Sequence, residues 1–171
     1  MRLGLRGLYP WLLARPRALR VAALAAVLAV IAVASSLSGG GNTGDPEARA
    51  FLLNWGHQVL FGALAVAIAL AAGLRLPARG AAAFAVVAAV AAIGLLDEIH
   101  QASVPDRDSS WWDLVSDTLG AVLALTVAGW TARREGPVLE FGPAIFCLGV
   151  SAAWNCVPAF APNLPLTALL P

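Results

Sequence analysis

Charged side chains are scarce in this sequence, and their scarcity points to the class of protein. Only 12% of the 171 residues are charged, whereas a soluble domain usually carries about 25%. Hydrophobic residues make up 60% of the chain, and its mean hydropathy is +0.78. The lack of charge, with long runs of alanine, valine and leucine, predicts a membrane protein with little room for a separate soluble domain.

Lysine is absent and cysteine is nearly so, and both absences exclude kinds of site. All 11 basic residues are arginines, so no GK[ST] follows the glycine-rich segment 38–48, which is expected to be a flexible connector. Cys147 and Cys156 are too far apart for a disulfide along a straight helix. No HExxH motif or Cys/His set is present, so the sequence predicts no metal and no other cofactor.

Five apolar segments follow one another, and most approach the roughly 20 residues that cross a bilayer as a helix. They are residues 19–37, 51–72, 81–96, 111–131 and 141–160. Because a helix satisfies its own backbone in lipid, the predicted fold is all-α, a polytopic membrane helix bundle of about five transmembrane helices. Ala32–Ala34 also fits a signal-peptide cleavage site, but the long leader containing Trp11 and two prolines favours an uncleaved first span.

Arginines are distributed unequally between the two sides of this bundle. Nine lie before or at the start of the first segment or in the loops after the second and fourth, and only Arg49 and Arg107 lie opposite. Since cytoplasmic loops carry an excess of basic residues, we expect a multi-pass membrane protein with these nine arginines on the cytoplasmic side. Its N-terminus would be cytoplasmic and its C-terminus external. The net charge of +1 gives no reason to expect a nucleic-acid partner.

Polar residues gather at the opposite, external ends of the helices. Arg107 lies in the loop between the third and fourth segments, and six further residues lie at helix ends: His57, Asp97, Glu98, Gln101, Asp113 and Asp117. Residues three or four apart share a helix face, as Glu98 and Gln101 do if the third helix continues. Ionisable groups at this depth rarely face lipid. Gly120, about one turn deeper than Asp117, would let another helix approach closely. The pattern predicts a polar site at the outer membrane face, with a polar clamp that merely holds the bundle as the alternative.

The same residues resemble the motifs of the VanZ-like family. The sequence DEIHQ at 97–101 resembles the family's DExxQ, and PDR at 105–107 supplies the arginine that follows it. DLVSDTLG at 113–120 resembles its DxxxN with a following glycine, although Asp117 stands where asparagine is usual. Upstream, NWGHQVLFGAL at 54–64 resembles a segment in which a lysine, a histidine and an aromatic residue open a span, with asparagine in place of the lysine.

This resemblance implies a division of the chain and a setting for its function. The resemblance implies a core of four helices. We therefore expect an arginine-rich cytoplasmic N-terminus (1–18), a VanZ-like four-helix core (19–135) and an additional transmembrane helix with an external tail (136–171). The founding member is associated with low-level resistance to the glycopeptide antibiotic teicoplanin. The resemblance therefore implies a protein of the bacterial cytoplasmic (inner) membrane and a weak link to glycopeptide resistance.

One hypothesis is a site that binds or modifies an envelope or lipid-linked substrate, with membrane lipids around it. The candidate catalytic residues are Glu98 and His57 as general acid or base, and Arg107 as a partner for a phosphate or carboxylate. The candidate substrate-binding residues are Gln101, Asp113, Asp117 and Asp97. Whether the chain is an enzyme is left open, because no nucleophile stands out.

The second hypothesis is a non-catalytic accessory or scaffold subunit of a larger membrane protein complex. A small bundle rich in alanine and glycine packs closely against other helices. The added fifth segment, with Phe146 and Trp154, would be a docking face, and the N-terminus with Tyr9 and Trp11 would lie on the cytoplasmic surface. A transporter is disfavoured, because no inverted repeat or pair of broken helices is visible.

Overall fold

Six α-helices form the regular structure of the described residues. The computed structural model describes residues 7–37, 46–77, 80–105, 107, 109–132 and 142–156, of which 46–54, 142–145 and 156 by backbone alone. The helices are α1 (Leu8–Leu13), α2 (Arg17–Ser36), α3 (Pro46–Ala71), α4 (Ala81–Gln101), α5 (Trp111–Ala132) and α6 (Gly142–Cys156). Helices α2 to α6 coincide with the five apolar segments, so the predicted all-α membrane helix bundle is confirmed.

Three helices of the described part of the chain are long and apolar enough to cross a membrane. They are α2, α4 and α5. The apolar part of α3, Trp55–Ala71, is shorter, and α6 has 15 residues. The predicted count of five spans therefore stays a prediction.

Helix α4 extends beyond the apolar segment 81–96 from which it was predicted. The apolar run ends at Leu96, but the helix continues through Asp97 and Glu98 to Gln101. All three polar residues are buried, with exposed fractions of 8%, 0% and 2%. The helix continues because neighbouring helices cover these side chains. Hydropathy along the sequence does not predict this burial. Glu98 and Gln101 thus share a helix face, as expected.

Helices α3 and α5 form the central pair of the bundle, and glycines let their backbones approach closely. A Cβ atom on Gly120 would lie 2.3 Å from the backbone oxygen of Gln58, and one on Gly62 would lie 3.0 Å from the oxygen of Gly120. Around this crossing the core is apolar, and its fully buried members include Phe61 and Leu64. The prediction that Gly120 permits close helix approach is confirmed, and the approaching helix is α3.

The N-terminal segment packs onto the bundle through α1, a helix that the sequence did not predict. Tyr9 is 2% exposed and donates its hydroxyl proton to the backbone oxygen of Leu74 at 2.9 Å. The backbone N–H of Gly7 donates to the oxygen of Thr131 at 2.8 Å. Tyr9 thus enters the protein interior, although the sequence suggested only a surface location for this segment.

Several sequence predictions concern residues outside the described part of the chain. They are the glycine-rich connector over 38–45, the helix-capping role of residues 106 and 108, the loop arginines at 79 and 133–134, and the tail at 157–171. The side chain of residue 54 is outside it as well. The arginine-based orientation therefore stays a prediction.

Candidate functional site

A polar cluster lies at the end of the bundle where α2 and α4 end and α5 begins. His57, in the fourth turn of α3, reaches the same depth. Hydrogen bonds and electrostatic contacts join residues up to 73 positions apart in the chain. The cluster contains all seven residues that the sequence singled out: His57, Asp97, Glu98, Gln101, Arg107, Asp113 and Asp117.

A histidine–aspartate pair connects α3 to α5. His57 Nδ1 lies 3.1 Å from Asp117 Oδ1, and Asp117 is fully buried. The imidazole stacks on Phe61, one turn along α3, with ring centroids 6.0 Å apart and planes 3° from parallel. Asp117 Oδ2 has no hydrogen-bond partner and lies close to α4, where a Cβ atom on Gly94 would be 2.7 Å away. The pair is thus fixed by packing on two sides, and one carboxylate oxygen remains unpaired.

A hydrogen-bond chain runs from α2 through α4 toward the following loop. Asp97 accepts the hydroxyl proton of Ser35 on Oδ1 and an amide proton of Gln101 on Oδ2, at 2.7 Å. Gln101 Oε1 in turn accepts from Arg107 Nη1 at 3.3 Å. Asp97 therefore does more than end an apolar segment at the headgroups, because both of its oxygens are engaged inside the bundle.

Arg107 is held by the C-terminal carbonyl groups of α2. Its Nη2 donates to the backbone oxygen of Ala34 at 2.7 Å, and its Nε donates to that of Leu37 at 3.2 Å. A cation is favoured at a helix C-terminus, where the last carbonyl groups lack helical partners. Asp117 pairs with His57 rather than with this arginine. Two of the five N–H groups of Arg107 have no partner among the described residues.

Glu98, like Asp117, has one carboxylate oxygen without a hydrogen-bond partner among the described residues. It is fully buried, and its Oε2 accepts the backbone N–H of Ser110 at 2.6 Å, just before α5. Its Oε1 has no hydrogen-bond partner among the described residues. Glu98 also interacts electrostatically with Asp113, Asp117 and His57. The Oε2 atom of Glu98 therefore holds the start of α5, and its Oε1 atom is available to accept a hydrogen bond from a ligand.

Acidic groups outnumber basic ones in the cluster. Among the described residues, the four carboxylates of Asp97, Glu98, Asp113 and Asp117 face two side chains that can carry positive charge, His57 and Arg107. Buried like charges repel strongly at low dielectric constant. The cluster is therefore suited to bind a cation or a ligand that donates hydrogen bonds.

Three of these residues lie in a metal-ligand arrangement. One ligand atom from each of His57, Asp97 and Glu98 lies within 4.8 Å of the other two. The sequence predicted no metal because, although clustered carboxylates suit hard cations, no segment carries a motif with metal-ligand spacing. Here the ligands come from two helices, α3 and α4. The spacing of residues within one segment does not predict how two helices pack together.

Sequence reasoning missed residues that support the cluster. Ser35 was read as part of an apolar span, although a serine pair at the end of such a span is a signal worth testing. Gln58, next to His57, accepts hydrogen bonds from Ser151 and, at 3.3 Å, from Asn155 of α6. Trp154 Nε1 donates to Ser116 Oγ at 2.9 Å. Helix α6 therefore joins the bundle through its polar face.

The four-helix arrangement and its motifs can be compared with known proteins. The sequence model of the VanZ/LLP1 family matches residues 21–131, a range that includes nearly all of α2 and the whole of α3 and α4. The chain belongs to the VanZ/LLP1 family. All seven residues of the polar cluster lie within the matched range, whereas α1 and α6 lie outside it. No curated protein and no solved structure matches the chain at a significant level.

Proposed function

We propose that this VanZ/LLP1 family protein binds the headgroup of a lipid-linked envelope substrate at the polar cluster. In this proposal the cluster faces the outside of the bacterial cytoplasmic membrane. The observation that carries the proposal is the buried, unpaired Oε1 of Glu98. An unsatisfied buried polar group costs about 1–3 kcal/mol, and more when charged, so a clamp that served stability alone would saturate it. A ligand that donates to this oxygen supplies the missing partner.

The two ends of such a ligand would meet different parts of the protein. The two remaining N–H groups of Arg107 suit a phosphate or carboxylate, because guanidinium groups bind either one bidentately. Sugar hydroxyl or amino groups would donate to Glu98. Gln101 and Asp97 would keep Arg107 in place through their hydrogen-bond chain.

Proton transfer is the chemistry that this arrangement could add to binding. Glu98 and His57 interact electrostatically inside the same cluster, and either could act as a general acid or base toward a bound hydroxyl group. Asp117 and Asp113 would hold and polarise His57. Binding is the minimal function, and modification of the headgroup is the further step that this proposal allows.

The surroundings of the cluster suit a ligand with a lipid tail. The last turns of α2 expose apolar side chains beside the site, with Val30, Val33 and Leu37 exposed by 55%, 62% and 61%. In a bilayer these residues would contact acyl chains. A lipid-linked substrate could thus keep its tail in the membrane while its headgroup enters the cluster.

The test is to purify the full-length protein from bacterial membranes in mild detergent and to measure the bound lipids by mass spectrometry. Glu98→Gln and Arg107→Ala should each reduce the enriched lipid-linked precursor at least tenfold. Arg75→Ala is the matched control, because Arg75 is exposed at the other end of the bundle. Equal enrichment by wild type and both site variants would refute the proposal. A role in glycopeptide resistance would follow only if the enriched lipid is a cell-wall precursor.

A role as an accessory subunit is the second candidate function, and the exposed apolar side chains of α6 favour it. Cys147, Ser151 and Asn155 are buried on one side of this helix, whereas Phe146 and Leu148 are 68% and 59% exposed. The same purification would then recover a protein partner at fixed stoichiometry. That partner would persist in Glu98→Gln and be lost when Phe146 and Leu148 are both changed to alanine.

A further inference from the structure

We propose that His57, Asp97 and Glu98 bind one divalent transition-metal ion. A nitrogen of His57 and one oxygen of each acid lie within 4.8 Å of one another. Ligand atoms lie about 2.0–2.2 Å from a bound Zn²⁺, so small side-chain rotations bring these three atoms onto one ion. The inference concerns the same cluster as the proposed function, but it holds whether or not a lipid binds.

The unpaired carboxylate oxygen points independently to a ligand at this place. Glu98 is fully buried, and its Oε1 lacks a hydrogen-bond partner in the part of the chain that the structure describes. Buried charges in proteins are paired or coordinate metals. A cation held by Glu98 would satisfy this oxygen directly.

Charge balance also favours a cation over an anion. Asp113 and Asp117 interact electrostatically with His57 beside the proposed ligands, and they add negative charge to that of Asp97 and Glu98. One divalent ion would offset the excess of carboxylates over cationic side chains. An anion alone would meet repulsion from the same groups.

Each proposed ligand is already oriented by a residue that is not itself a ligand. Asp117 pairs with His57 at Nδ1; in the tautomer that carries its proton there, Nε2 holds the lone pair for a metal. Ser35 and Gln101 donate to Asp97. The N–H of Ser110 holds Glu98 through Oε2, which leaves Oε1 for the ion. Hydrogen-bonded support of this kind is typical of metal ligands in proteins.

The donor set selects the class of ion. Imidazole suits Zn²⁺ and other transition metals, whereas Ca²⁺ and Mg²⁺ prefer oxygen ligands alone. Two carboxylates also suit Mn²⁺. Three protein ligands leave at least one position open for water or for an oxygen of a bound headgroup, and only the headgroup part of this inference rests on the proposed function.

The first test measures metal binding by the purified full-length protein in detergent without added lipid. After equilibration with Zn²⁺, Mn²⁺, Ca²⁺ or Mg²⁺ and gel filtration, elemental analysis gives the metal-to-protein ratio. We expect about one Zn²⁺ or Mn²⁺ per chain, and a Tm that rises with the concentration of that metal. Absence of stoichiometric Zn²⁺ and Mn²⁺ would overturn the proposal. Because no lipid is present, this failure would leave the proposed headgroup binding intact.

Two histidines at the same end of the bundle provide a matched pair of variants. His57→Gln should lose the bound metal, whereas His100→Gln should keep it, because His100 is exposed and lies 3.3 Å from Ser36 Oγ. Equal metal content in the two variants would overturn the proposal.

A second variant keeps the test decisive if His57→Gln does not fold. Ser35→Ala retains all three ligands and removes only the hydroxyl group that orients Asp97. Loss of such support typically weakens metal affinity 10–100-fold, so the metal titration of folded, gel-filtered Ser35→Ala should shift by that factor. An unshifted titration would mean that Asp97 is not a ligand.

Discussion

The two ends of the bundle use polar groups in different ways. At the end where α3 finishes, side chains bind backbone carbonyl groups: Tyr9 binds Leu74, and Arg20 Nη1 donates to Leu70 at 2.6 Å. At the opposite end, side chains also bind one another, as in the pair of His57 and Asp117, although Arg107 binds backbone carbonyl groups there as well. The first kind of contact closes a helix end, whereas the second creates a cluster of ionisable groups.

The difference lies in what each end leaves unpaired. Arg20 Nε is a buried donor without a partner, but Nη1 of the same guanidinium is bonded. At the other end, Glu98 and Asp117 each keep a buried carboxylate oxygen without a partner. A cluster that served only to join helices would contain no such pair of acceptors. We infer that one end holds the chain together and that the other is prepared for a ligand.

The largest effect is expected where the two central helices cross, just below the polar end. In Gly120→Ala, the new Cβ would lie 2.3 Å from the backbone oxygen of Gln58, so α3 and α5 must separate. Overpacking usually costs about 1–3 kcal/mol and occasionally more; here the cost should exceed about 3 kcal/mol, because the new Cβ meets backbone atoms that cannot rotate away. The separation would also displace His57. Gly149→Ala is the control, since nothing lies within 4 Å of its Cβ position. Membrane abundance and the Tm in detergent should fall in Gly120→Ala alone, and equal values would show that the crossing is looser than described.

A smaller effect is expected from two adjacent serines of α2. Ser35 is 3% exposed and donates to Asp97, whereas Ser36 is exposed. Because hydrogen bonds to charged groups contribute about 1.5–3 kcal/mol, Ser35→Ala should lower the free energy of unfolding by about that amount. Ser36→Ala should change it by less than about 0.5 kcal/mol. Equal thermal midpoints in the two variants would show that Asp97 does not depend on Ser35.

The smallest effect is expected at the arginine-rich end. Tyr9→Phe removes one neutral hydrogen bond to Leu74, which contributes about 1 kcal/mol. Burial raises the pKa of Tyr9 to about 12, against the opposing charge of Arg20, from about 10 in an unfolded chain. The stability that this shift provides is complete below pH 10 and is lost as the pH rises toward 12. Thermal unfolding at pH 6 and pH 9 should therefore give the same difference between Tyr9→Phe and wild type, and metal and lipid binding should be unchanged.

The sequence predicted the helices and the composition of the cluster because both depend on local patterns. Apolar runs marked α2 to α6, and the spacing of Glu98, Gln101, Asp113 and Asp117 marked two helix faces. Helix order then required these faces to meet at one end. Gly120 was likewise predicted correctly, since a small residue one turn from a buried acid suits close packing.

The remaining features depend on contacts between distant side chains, which no local pattern encodes. A local pattern would assign the single hydroxyl proton of Ser35 to the carbonyl of Ile31, one turn back and 2.7 Å away, rather than to Asp97. The carbonyl partners of Arg107 lie 70 and 73 residues away. The polar face of α6 was hidden because Ser151 and Asn155 interrupt a segment that is otherwise apolar. The metal-ligand arrangement was missed for the same reason, as it joins two helices.

The most direct measurement of the central claim is the thermal unfolding of Glu98→Gln beside wild type, in detergent and without lipid or metal. The amide keeps the size of the side chain and an oxygen for the N–H of Ser110, and it removes a buried, half-paired charge. If the polar end is a ligand site, the Tm should be unchanged or higher, while ligand binding is lost. A fall equivalent to more than about 2 kcal/mol, near the loss expected from breaking a buried charged network, would show that the cluster is a structural clamp.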